Sequence, residues 1–541
     1  VFGLNANNRP GFDNVHQMLE ESLVESIKNC SPDMICTGGL CTDYMFLKDT
    51  IRLCRKYAPE VPLVLGGNIV TNDAEFIFRT LKPDYAILGE GEEVLVKLAG
   101  VLDNVCSSAK LNEVPNLYYW ENGQSVYTFK NYEYGDINQR PFPDYEPFGI
   151  SDMIENYTRS TGYLIWYTRK EPRLMTLIAA RSCPFSCTFC IHRTGIKYRA
   201  RTIDSIMDEI AYLYEKYTFN VLYILDELFA INKIRLREFS ERLILEKAKN
   251  GWDFDWGFQT HASASFDLET LLIAKKAGCY FFIYGMESAS PKVLKSMEKR
   301  THPSQFIQAI NLAAEAKIGF GGAFIFGDVA ETSETILETT SFFLQHCKHV
   351  HANFGHISPY PGSKLFDVCL ERGLIKDKAA YYEDIVRTAS NINMTSIPDL
   401  IWKLWLLYYK YFTLTMPWLK RAEAKSISRV ENFDSNPMAK YSNASLLEID
   451  ANCPYCGHLN KCSHIAAKDE NTHFHWLVRL KSKIIKSRFF PWMFKLSVAF
   501  FSNFGKYRSM FVNFRTRYNS FFDAAITGCV NCHKKFRIKL K

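Results

Sequence analysis

Three cysteines within eight residues constrain this chain more than any other feature. They lie in the stretch Cys183-Pro-Phe-Ser-Cys187-Thr-Phe-Cys190, which follows the apolar run 174–180 and therefore stands at the end of a predicted buried strand. A tight run of thiolates lets one loop wrap one iron–sulfur cluster. Because only three thiolates are present, a fourth iron would lack a protein ligand and would be free to bind another molecule.

The residues alone leave other interpretations of this triplet open. A zinc loop needs a fourth ligand, which His192 could supply, although zinc sites favour paired CxxC spacing. A disulfide pair is typical of small secreted chains, and buried cysteines also pack as small apolar side chains. The sixteen cysteines of this 541-residue chain stand in three groups and otherwise singly, which indicates metal sites in a reducing compartment. We therefore expect a cytoplasmic protein.

The CxxxCxxC spacing, with an aromatic residue before the last cysteine, resembles the signature of the radical SAM superfamily. The resemblance implies that Cys183, Cys187 and Cys190 hold a 4Fe-4S cluster whose open iron binds S-adenosylmethionine. It also implies that one electron cleaves this cofactor to methionine and a 5'-deoxyadenosyl radical. The implied partner is an electron donor such as flavodoxin or ferredoxin.

From residue 174 onward, strand and helix signals alternate six times. The strands are predicted at 174–180, 221–226, 254–260, 280–285, 319–326 and 354–358. The helices are predicted at 203–217, 234–250, 268–277, 305–316 and 333–346. Six such units predict a partial (β/α) barrel over residues 171–395, with its active site at the C-terminal ends of the strands.

Several strand ends resemble the cofactor-binding turns of the radical SAM superfamily. By that resemblance Asp226 and Glu227 meet the amino group of S-adenosylmethionine, because an acid at a strand tip can accept hydrogen bonds from an ammonium group. Glu287 and Ser288 resemble the G-x-E-S turn beside the cofactor. Gly327 opens a turn that, by the same resemblance, lies under the adenine.

Two further strand ends are less specific. His261 stands where the superfamily often has an arginine that contacts ribose or carboxylate, and it is equally well interpreted as a loop histidine with satisfied hydrogen bonds. The turn at 359–365 again resembles the superfamily pattern. Five such turns in register after the cysteine triplet strengthen the resemblance.

Residues 1–125 predict a doubly wound Rossmann-like domain, because strands at 33–39, 61–67 and 84–89 alternate with helices at 44–57 and 74–81. Ligands of such sheets bind beyond the carboxyl ends of the strands. Those ends carry glycines that leave room for a large flat ligand: Gly38, Gly39, Gly66 and Gly67. The domain resembles the cobalamin-binding domain of B12-binding radical SAM proteins, which implies cobalamin at these glycines.

The DxHxxG loop that supplies a cobalt-ligating histidine in some cobalamin proteins is absent. Residues 13–16 have the wrong spacing, and we interpret His16 as a surface helix residue. Cobalamin is therefore expected to bind without a protein imidazole on cobalt. The alternative is a domain that has lost its ligand. The chain opens at Val1 without an initiator methionine, so we expect its true start to lie upstream.

Residues 126–170 are predicted to link the two domains. A hairpin with strands at 118–120 and 126–129 is predicted where this linker begins, and an extended stretch is predicted at 140–144. A helical extension is predicted over 396–450. Within it, residues 400–424 form a helix dense in Trp, Tyr and Leu, which is more typical of core packing than of a cofactor site.

Residues 451–541 are predicted to form a zinc-ribbon-like region, because two CxxC pairs gather four thiolates: Cys453, Cys456, Cys529 and Cys532. A second iron–sulfur cluster on the same cysteines is the alternative. Cys462 or His464 could replace one of the ligands.

A basic aromatic insertion at 476–517 lies between the two CxxC pairs. From His475 to Phe522 there are ten Lys or Arg and no acidic residue, within a chain of formal net charge +7. This pattern is typical of a helix at an anionic membrane surface, of a cap over an acidic substrate, or of an insertion packed on the barrel. Single-stranded nucleic acid is a less favoured partner. No stretch of about 18 apolar residues predicts a transmembrane helix.

The leading functional prediction is a cobalamin-associated radical SAM enzyme that methylates a small-molecule or lipid substrate, or rearranges, cyclises or oxidises it. One alternative is a radical SAM methylthiotransferase or tRNA-modifying enzyme. Another is a non-enzymatic cobalamin or redox sensor module, which would not consume S-adenosylmethionine steadily.

Overall fold

The computed structural model describes residues 15–103, 110–128, 135–154, 169, 172–191, 197–389, 391–415, 419–429, 444–467, 524–529, 532 and 534–539. These residues fall into two compact units. The first unit contains the described parts of Val1–Gln139, Ser186–Gly195 and Ser358–Ile392. The second contains the described parts of Arg140–Phe185, Ile196–Ile357 and Asn393–Lys541.

The first unit is built on a five-stranded sheet in which the strands lie in sequence order. They are β1 (Ile35–Gly38), β2 (Leu63–Gly66), β3 (Tyr85–Ile87), β4 (Leu117–Glu121) and β5 (Gln124–Tyr127). Strands β1 to β3 are parallel, whereas β4 and β5 are antiparallel. The helices are Val15–Cys30, Tyr44–Tyr57, Asn68–Leu81 and Glu92–Leu102. The predicted α/β alternation of this region is confirmed.

Burial explains this local structure. Leu63, Val64 and Leu65 are all buried in β2, as expected for a central parallel strand covered on both faces. Helix Tyr44–Tyr57 buries a stripe that includes Leu47 and Ile51, spaced one turn apart.

The hairpin of β4 and β5 extends this sheet. Its strands are joined by Asn122-Gly123, a two-residue turn with both φ angles positive that matches the twist of a hairpin. Because β4 pairs with β3, the sheet continues past residue 125, where the sequence analysis begins the linker. His16 lies on helix Val15–Cys30, as the helical part of its sequence interpretation expects.

The chain after the barrel also belongs to the first unit, although the sequence analysis assigns residues up to 395 to the barrel. This segment carries helices Lys364–Glu371, Lys378–Glu383 and Ile385–Ala389. Lys378 forms an ion pair with Asp73 at 2.7 Å, and the Tyr382 hydroxyl donates to the same carboxylate at 2.9 Å. These partly buried polar contacts hold the segment on helix Asn68–Leu81.

The second unit contains six parallel strands in the order β13-β12-β11-β10-β9-β6. They are β6 (Leu174–Leu177), β9 (Val221–Ile224), β10 (Asp255–Thr260), β11 (Cys279–Glu287), β12 (Gly319–Phe326) and β13 (His351–His356). Two short strands, β7 (Ala180–Arg181) and β8 (Arg199–Ala200), pair separately. The helices are Ile203–Tyr217, Lys233–Asn250, Leu268–Lys276, Pro291–Ser296, Pro303–Glu315 and Ser333–His346. The six predicted β/α units are confirmed.

A long aromatic helix, Asp399–Thr415, completes the core of the second unit. Tyr409 stacks on Phe326 of β12 with ring centroids 3.9 Å apart, and Trp402 and Trp405 are buried. The helix therefore packs the core, as the sequence analysis favours. Its predicted extension to residue 424 is wrong, because Arg421–Arg429 is a strand.

The C-terminal part of the second unit is a five-stranded sheet in the order β16-β15-β14-β18-β17. Its strands are β14 (Arg421–Arg429), β15 (Ala444–Asn452), β16 (Leu459–Ala467), β17 (Ala524–Gly528) and β18 (Lys535–Lys539). The predicted helical extension over 396–450 thus contains strands in its second half. The basic insertion at 476–517 lies outside the described residues. Across the described chain, no helix has the length and hydropathy needed to cross a membrane.

Candidate active site at the ends of the parallel strands

Cys183 follows a short, fixed stretch of backbone. β7 pairs with β8, and the Arg201 amide donates to the Ala179 carbonyl at 2.9 Å. Ser182 adopts φ +68, a left-handed conformation that non-glycine residues rarely take. Strained backbone of this kind is concentrated at functional sites. The strained conformation of Ser182 therefore sets the direction in which the chain enters the cysteine motif.

The second half of the motif lies in the first unit, because the boundary between the units falls between Phe185 and Ser186. The Cys190 amide donates to the Cys187 carbonyl at 3.1 Å, and the Leu365 amide donates to the Thr188 carbonyl at 3.1 Å. The turn at 359–365 is thus a support for the cysteine loop. Cys183, Cys187 and Cys190 are all half-buried and none of these three forms a disulfide. His192 lies outside the described residues.

Asp226 binds backbone rather than facing solvent. Its Oδ1 accepts a hydrogen bond from the Ala179 amide at 2.6 Å, and only 1% of the residue is exposed. Its Oδ2 is buried and has no hydrogen-bond partner among the described residues. Burial raises the pKa of Asp226 to about 7. Oδ1 therefore has a structural role, because it binds the backbone just after β6. Oδ2 is the atom left for the predicted contact with an ammonium group.

Glu227, the next residue, is exposed. Burial is the main cause that raises the pKa of the Cys183 thiol, and the Glu227 carboxylate adds to that effect. Glu227 is therefore close to the first cysteine and, of the acidic pair, is the member more accessible to a ligand.

Glu287 ends β11 in a strained conformation. Its φ is +63, and the pairing of β11 with β12 shifts register at this point. Its carboxylate accepts from Lys299 Nζ at 3.1 Å, and the two side chains are only 10% and 8% exposed. A Cβ at the neighbouring Gly285 would collide with this carboxylate. The sequence around Glu287 therefore fixes a buried acid at the strand end.

Lys299 is the functional candidate that the sequence analysis missed. Its neighbours Glu298 and Arg300 both have positive φ angles, +53 and +54, and this turn directs the Lys299 side chain inward. No sequence signal marks it, since a lysine between a glutamate and an arginine is usually solvated.

His261 is held on both sides. Its Nε2 donates to the Lys299 carbonyl at 3.2 Å, so Nδ1 is left to accept from Ser263. Its ring stacks on Phe185, inside the cysteine motif, with centroids 4.0 Å apart. Burial lowers the pKa of His261 to about 3, so the ring is neutral. Of the two interpretations of His261, this geometry agrees with a loop histidine whose hydrogen bonds are satisfied by neighbouring residues.

Ser288 and Gly327 are held by internal contacts. The Ser288 hydroxyl lies 3.1 Å from Thr339 Oγ1 and accepts from the Ser290 amide at 3.1 Å. Gly327 has φ +111, and a Cβ there would lie 3.3 Å from the Trp402 ring. The positive φ favours glycine at 327, and the Trp402 ring leaves little room for a Cβ there. Ser288 links its turn to helix Ser333–His346 through Thr339.

Breaking the buried ion pair should destabilise the second unit. Lys299→Met leaves the Glu287 carboxylate buried without its cation, which typically costs about 3–5 kcal/mol. Urea unfolding followed by tryptophan fluorescence measures the loss. The matched control is the double variant Lys299→Met/Glu287→Gln, which removes both charges and should recover most of the stability. Equal instability of the single and double variants would contradict the pair as a stabilising unit.

Glu331 gives a pH-dependent prediction. Its carboxylate is fully buried, accepts from the Gly327 amide at 3.3 Å and contacts Thr335 Oγ1 at 2.6 Å. Burial raises the pKa of Glu331 to about 7 from an ordinary 4.5. Between these values the folded chain keeps a proton that the unfolded chain has lost, so stability falls as pH rises.

Glu331→Gln mimics the neutral acid and should escape this loss. We expect the variant and the wild type to unfold alike near pH 4.5, and the variant to be more stable by about 3 kcal/mol at pH 8. Chemical denaturation at a series of pH values measures the difference. A constant difference across this range would show that Glu331 does not titrate in the folded protein.

Four glycines at the carboxyl ends of β1 and β2 form a second candidate site, in the first unit. A Cβ at Gly38 would lie 2.9 Å from the Gly66 carbonyl oxygen, and one at Gly39 would lie 2.7 Å from Asp43 Oδ2. Gly67 has φ +83, and its Cβ would lie 2.8 Å from the Gly39 nitrogen. Gly38 and Gly67 are therefore explained by packing against backbone and Gly39 by packing against the Asp43 side chain, whereas a Cβ at Gly66 meets nothing within 4 Å.

The rim that carries these glycines is held rigidly. The Ile69 amide donates to the Gly39 carbonyl at 3.0 Å. Thr71 Oγ1 donates to the Gly67 carbonyl at 3.2 Å and accepts from the Gly89 amide at 2.9 Å. The ends of β1, β2 and β3 thus form one preformed ledge, which is open at Gly66.

Family comparisons define the class of protein. The radical SAM superfamily model matches residues 177–343, and the B12 binding domain model matches residues 4–99. Residues 177–343 are a radical SAM domain and residues 4–99 a B12-binding domain, as the cysteine motif and the glycine-ended strands predict. The radical SAM match covers the cysteine motif and strands β9 to β12, and the B12-binding match covers β1 to β3.

Individual relatives are distant. An uncharacterized methyltransferase of Pyrococcus horikoshii is 26% identical over 65% of this chain and 72% of its own length. The anaerobic magnesium-protoporphyrin IX monomethyl ester cyclase of Cereibacter sphaeroides is 26% identical over 67% of this chain, which spans 57% of the cyclase.

A solved structure shares the fold. The radical S-adenosylmethionine methyltransferase TsrM of Kitasatospora setae, with cobalamin and a 4Fe-4S cluster bound, superposes with a TM-score of 0.53 at 16% identity. The superposition covers 67% of this chain and 68% of that one. The predicted fold of an α/β domain followed by a partial barrel is confirmed.

The residues of this chain fit the cofactors of that class. Three half-buried cysteines suit a cluster with one open iron. In the unit that holds Cys183, the buried Asp226 Oδ2 and the exposed Glu227 offer hydrogen-bond acceptors. The open ledge at Gly66 suits a large flat ligand. The individual site residues stay predictions.

Proposed function

We propose that this chain reductively cleaves S-adenosylmethionine and works with cobalamin to methylate an organic substrate or to rearrange or cyclise it. The observation that carries the proposal is the cysteine triplet at the end of β6, in a chain that also has a B12-binding domain. Fold alone does not establish an activity, whereas the residues at the strand ends define the chemistry that is possible there.

Cys183, Cys187 and Cys190 are the proposed ligands of the 4Fe-4S cluster. When bound, the cluster supplies the electron that splits S-adenosylmethionine into methionine and a 5'-deoxyadenosyl radical. The protein fixes this loop from two sides. The ladder of β7 and β8 sets its entry, and the hydrogen bond from Leu365 to Thr188 sets its exit.

Charged groups at the strand ends are the proposed contacts of S-adenosylmethionine. Glu227 offers an exposed carboxylate for the ammonium group. The pair of Glu287 and Lys299 places both signs of charge in a buried position, suited to a zwitterion that carries an amino and a carboxylate group. His261 contributes by holding the Phe185 ring and the Lys299 backbone, not by titrating.

The ledge of the first unit is the proposed cobalamin contact. Gly66 is its open point, whereas Gly38, Gly39 and Gly67 keep the strand ends close together. No DxHxxG loop is present, so the proposed binding mode leaves the cobalt without a protein imidazole.

The names of the relatives support two kinds of product. One relative is named a methyltransferase and another a ring-forming cyclase. An organic substrate and an electron donor are required by either chemistry, and flavodoxin or ferredoxin is the donor we propose. The methylthiotransferase alternative would draw on cysteines of the first unit, of which Cys41 and Cys54 are buried as apolar side chains whereas Cys30 and Cys36 are exposed.

The products of S-adenosylmethionine test this proposal. We would reconstitute the full chain anaerobically with iron, sulfide and cobalamin, add reduced flavodoxin, and quantify products by mass spectrometry. Radical cleavage yields 5'-deoxyadenosine, and methyl transfer yields S-adenosylhomocysteine in addition. Formation of neither product above a heat-denatured control would contradict the proposal and favour a sensor module.

A further inference from the structure

Four cysteines outside the candidate active site converge in the C-terminal sheet. Cys453 and Cys456 lie in the turn between β15 and β16, and Cys529 and Cys532 lie in the turn between β17 and β18. The four sulfur atoms all lie within 4.8 Å of one another. Two hairpins that are far apart in the sequence thus present four thiol groups to one point.

The distances fit one small ion. The Cys453 and Cys532 sulfurs are 3.6 Å apart, and the Cys456 and Cys529 sulfurs are 3.5 Å apart. Zinc bonds thiolate sulfur at about 2.3 Å, so the sulfurs of a tetrahedral site stand about 3.8 Å apart. A disulfide is much shorter, at about 2.05 Å.

We propose that these four thiolates bind a single zinc ion in a structural site. In a four-iron cluster each thiolate binds a different iron, so its ligands surround a cluster rather than one atom. The mutual closeness of these four sulfurs instead suits a mononuclear centre. Four protein ligands leave no open coordination position, which is the pattern of structural rather than catalytic zinc. This proposal is independent of the proposed enzymatic function.

The surroundings of the sulfurs suit thiolates. The Tyr455 amide donates to the Cys453 sulfur at 3.4 Å, and Asn460 Nδ2 donates to the Cys529 sulfur at 3.7 Å. Hydrogen bonds from such outer groups orient metal ligands and spread their charge. Lys420 and Lys534 place their ammonium groups 5.0 and 5.5 Å from the Tyr455 ring centre, which brings positive charge to the negatively charged site.

A bound metal would add stability to a sheet whose apolar core is small. The described core of this sheet contains only six buried side chains: Ile449, Ala451, Cys453, Cys529, Phe536 and Ile538. So small a core supplies little free energy of folding, and small metal-binding modules obtain it from the metal. The Tyr455 ring also meets His349, on the loop before β13, edge to face at 5.4 Å. The metal therefore stabilises the sheet at a point where it contacts the barrel.

Metal analysis of the full chain tests the proposal. Aerobically purified protein, freed of labile iron, should contain close to one zinc per chain. Its extended X-ray absorption fine structure at the zinc edge should show four sulfur neighbours at about 2.3 Å. Iron without zinc in this protein, or nitrogen and oxygen neighbours around the zinc, would overturn the assignment.

Serine substitutions provide the matched comparison. Cys453→Ser/Cys529→Ser should lose the zinc and melt several degrees lower, because structural zinc contributes directly to folding. Cys30→Ser removes an exposed cysteine of the first unit and should change neither property. Full zinc retention by the double variant would contradict the assignment. If that variant is insoluble, the absorption measurement on the wild type decides.

Discussion

Replacing Cys183, Cys187 and Cys190 together with alanine should abolish both the iron–sulfur chromophore and the formation of 5'-deoxyadenosine. Each cysteine supplies one of only three protein ligands, so none of the irons keeps a thiolate once all three are removed. We expect S-adenosylmethionine cleavage to fall to the level of the protein-free blank. Visible absorption and mass spectrometry after anaerobic reconstitution measure the two losses.

The C-terminal metal provides an internal control for this experiment. The triple variant should keep its zinc and its cobalamin, because neither proposed site uses these cysteines. Cys30→Ala, at an exposed position, should keep both the chromophore and the cleavage activity. Product formation by the triple variant at the wild-type rate would rule out the triplet as the site of the cluster.

Gly66→Trp should lose cobalamin while leaving the cluster in place. A side chain at Gly66 has open space around its Cβ, so the variant should fold, and the indole would then occupy the ledge where a ligand of the sheet binds. We expect cobalamin retention after gel filtration to drop at least tenfold. 5'-Deoxyadenosine should still form, because the cysteines lie elsewhere in the chain.

Gly100→Trp is the matched control for this substitution. Gly100 also has no atom within 4 Å of its Cβ, but it lies near the C-terminal end of helix Glu92–Leu102, whereas the N-terminal end of that helix follows the β3 end of the ledge. It should bind cobalamin normally. Gly67→Trp is unsuitable, since its Cβ would strike the Gly39 backbone. Unchanged cobalamin retention by Gly66→Trp would contradict the proposed contact.

The sequence predicts most of the fold because its elements carry local signals. Strands such as β2 are short apolar runs that end in glycine, and helix Ile203–Tyr217 begins at Thr202, whose side chain caps it. The predicted helix at 400–424 runs too far, because the pairing of β14 with β15 and β18, which are distant in the sequence, decides the structure from residue 421 onward.

The candidate site is less predictable than the fold because it depends on tertiary contacts. The cysteine motif is local, so its spacing alone identifies it. The inward turn of Lys299 has no sequence signature, and neither does the hydrogen bond of Asp226 to the backbone near Cys183. The four C-terminal cysteines are intermediate: each pair is visible in the sequence, but only the structure shows that the pairs meet.

Electron paramagnetic resonance of one anaerobic sample tests the central claim most directly. The full chain, reconstituted with iron, sulfide and cobalamin and then partly reduced, should show a cob(II)alamin signal and a reduced 4Fe-4S signal together. Addition of S-adenosylmethionine should shift the cluster signal, because the iron without a protein ligand binds the cofactor. A cluster signal that S-adenosylmethionine leaves unchanged, in protein that retains no cobalamin, would contradict the assignment of this chain as a cobalamin-dependent radical SAM enzyme.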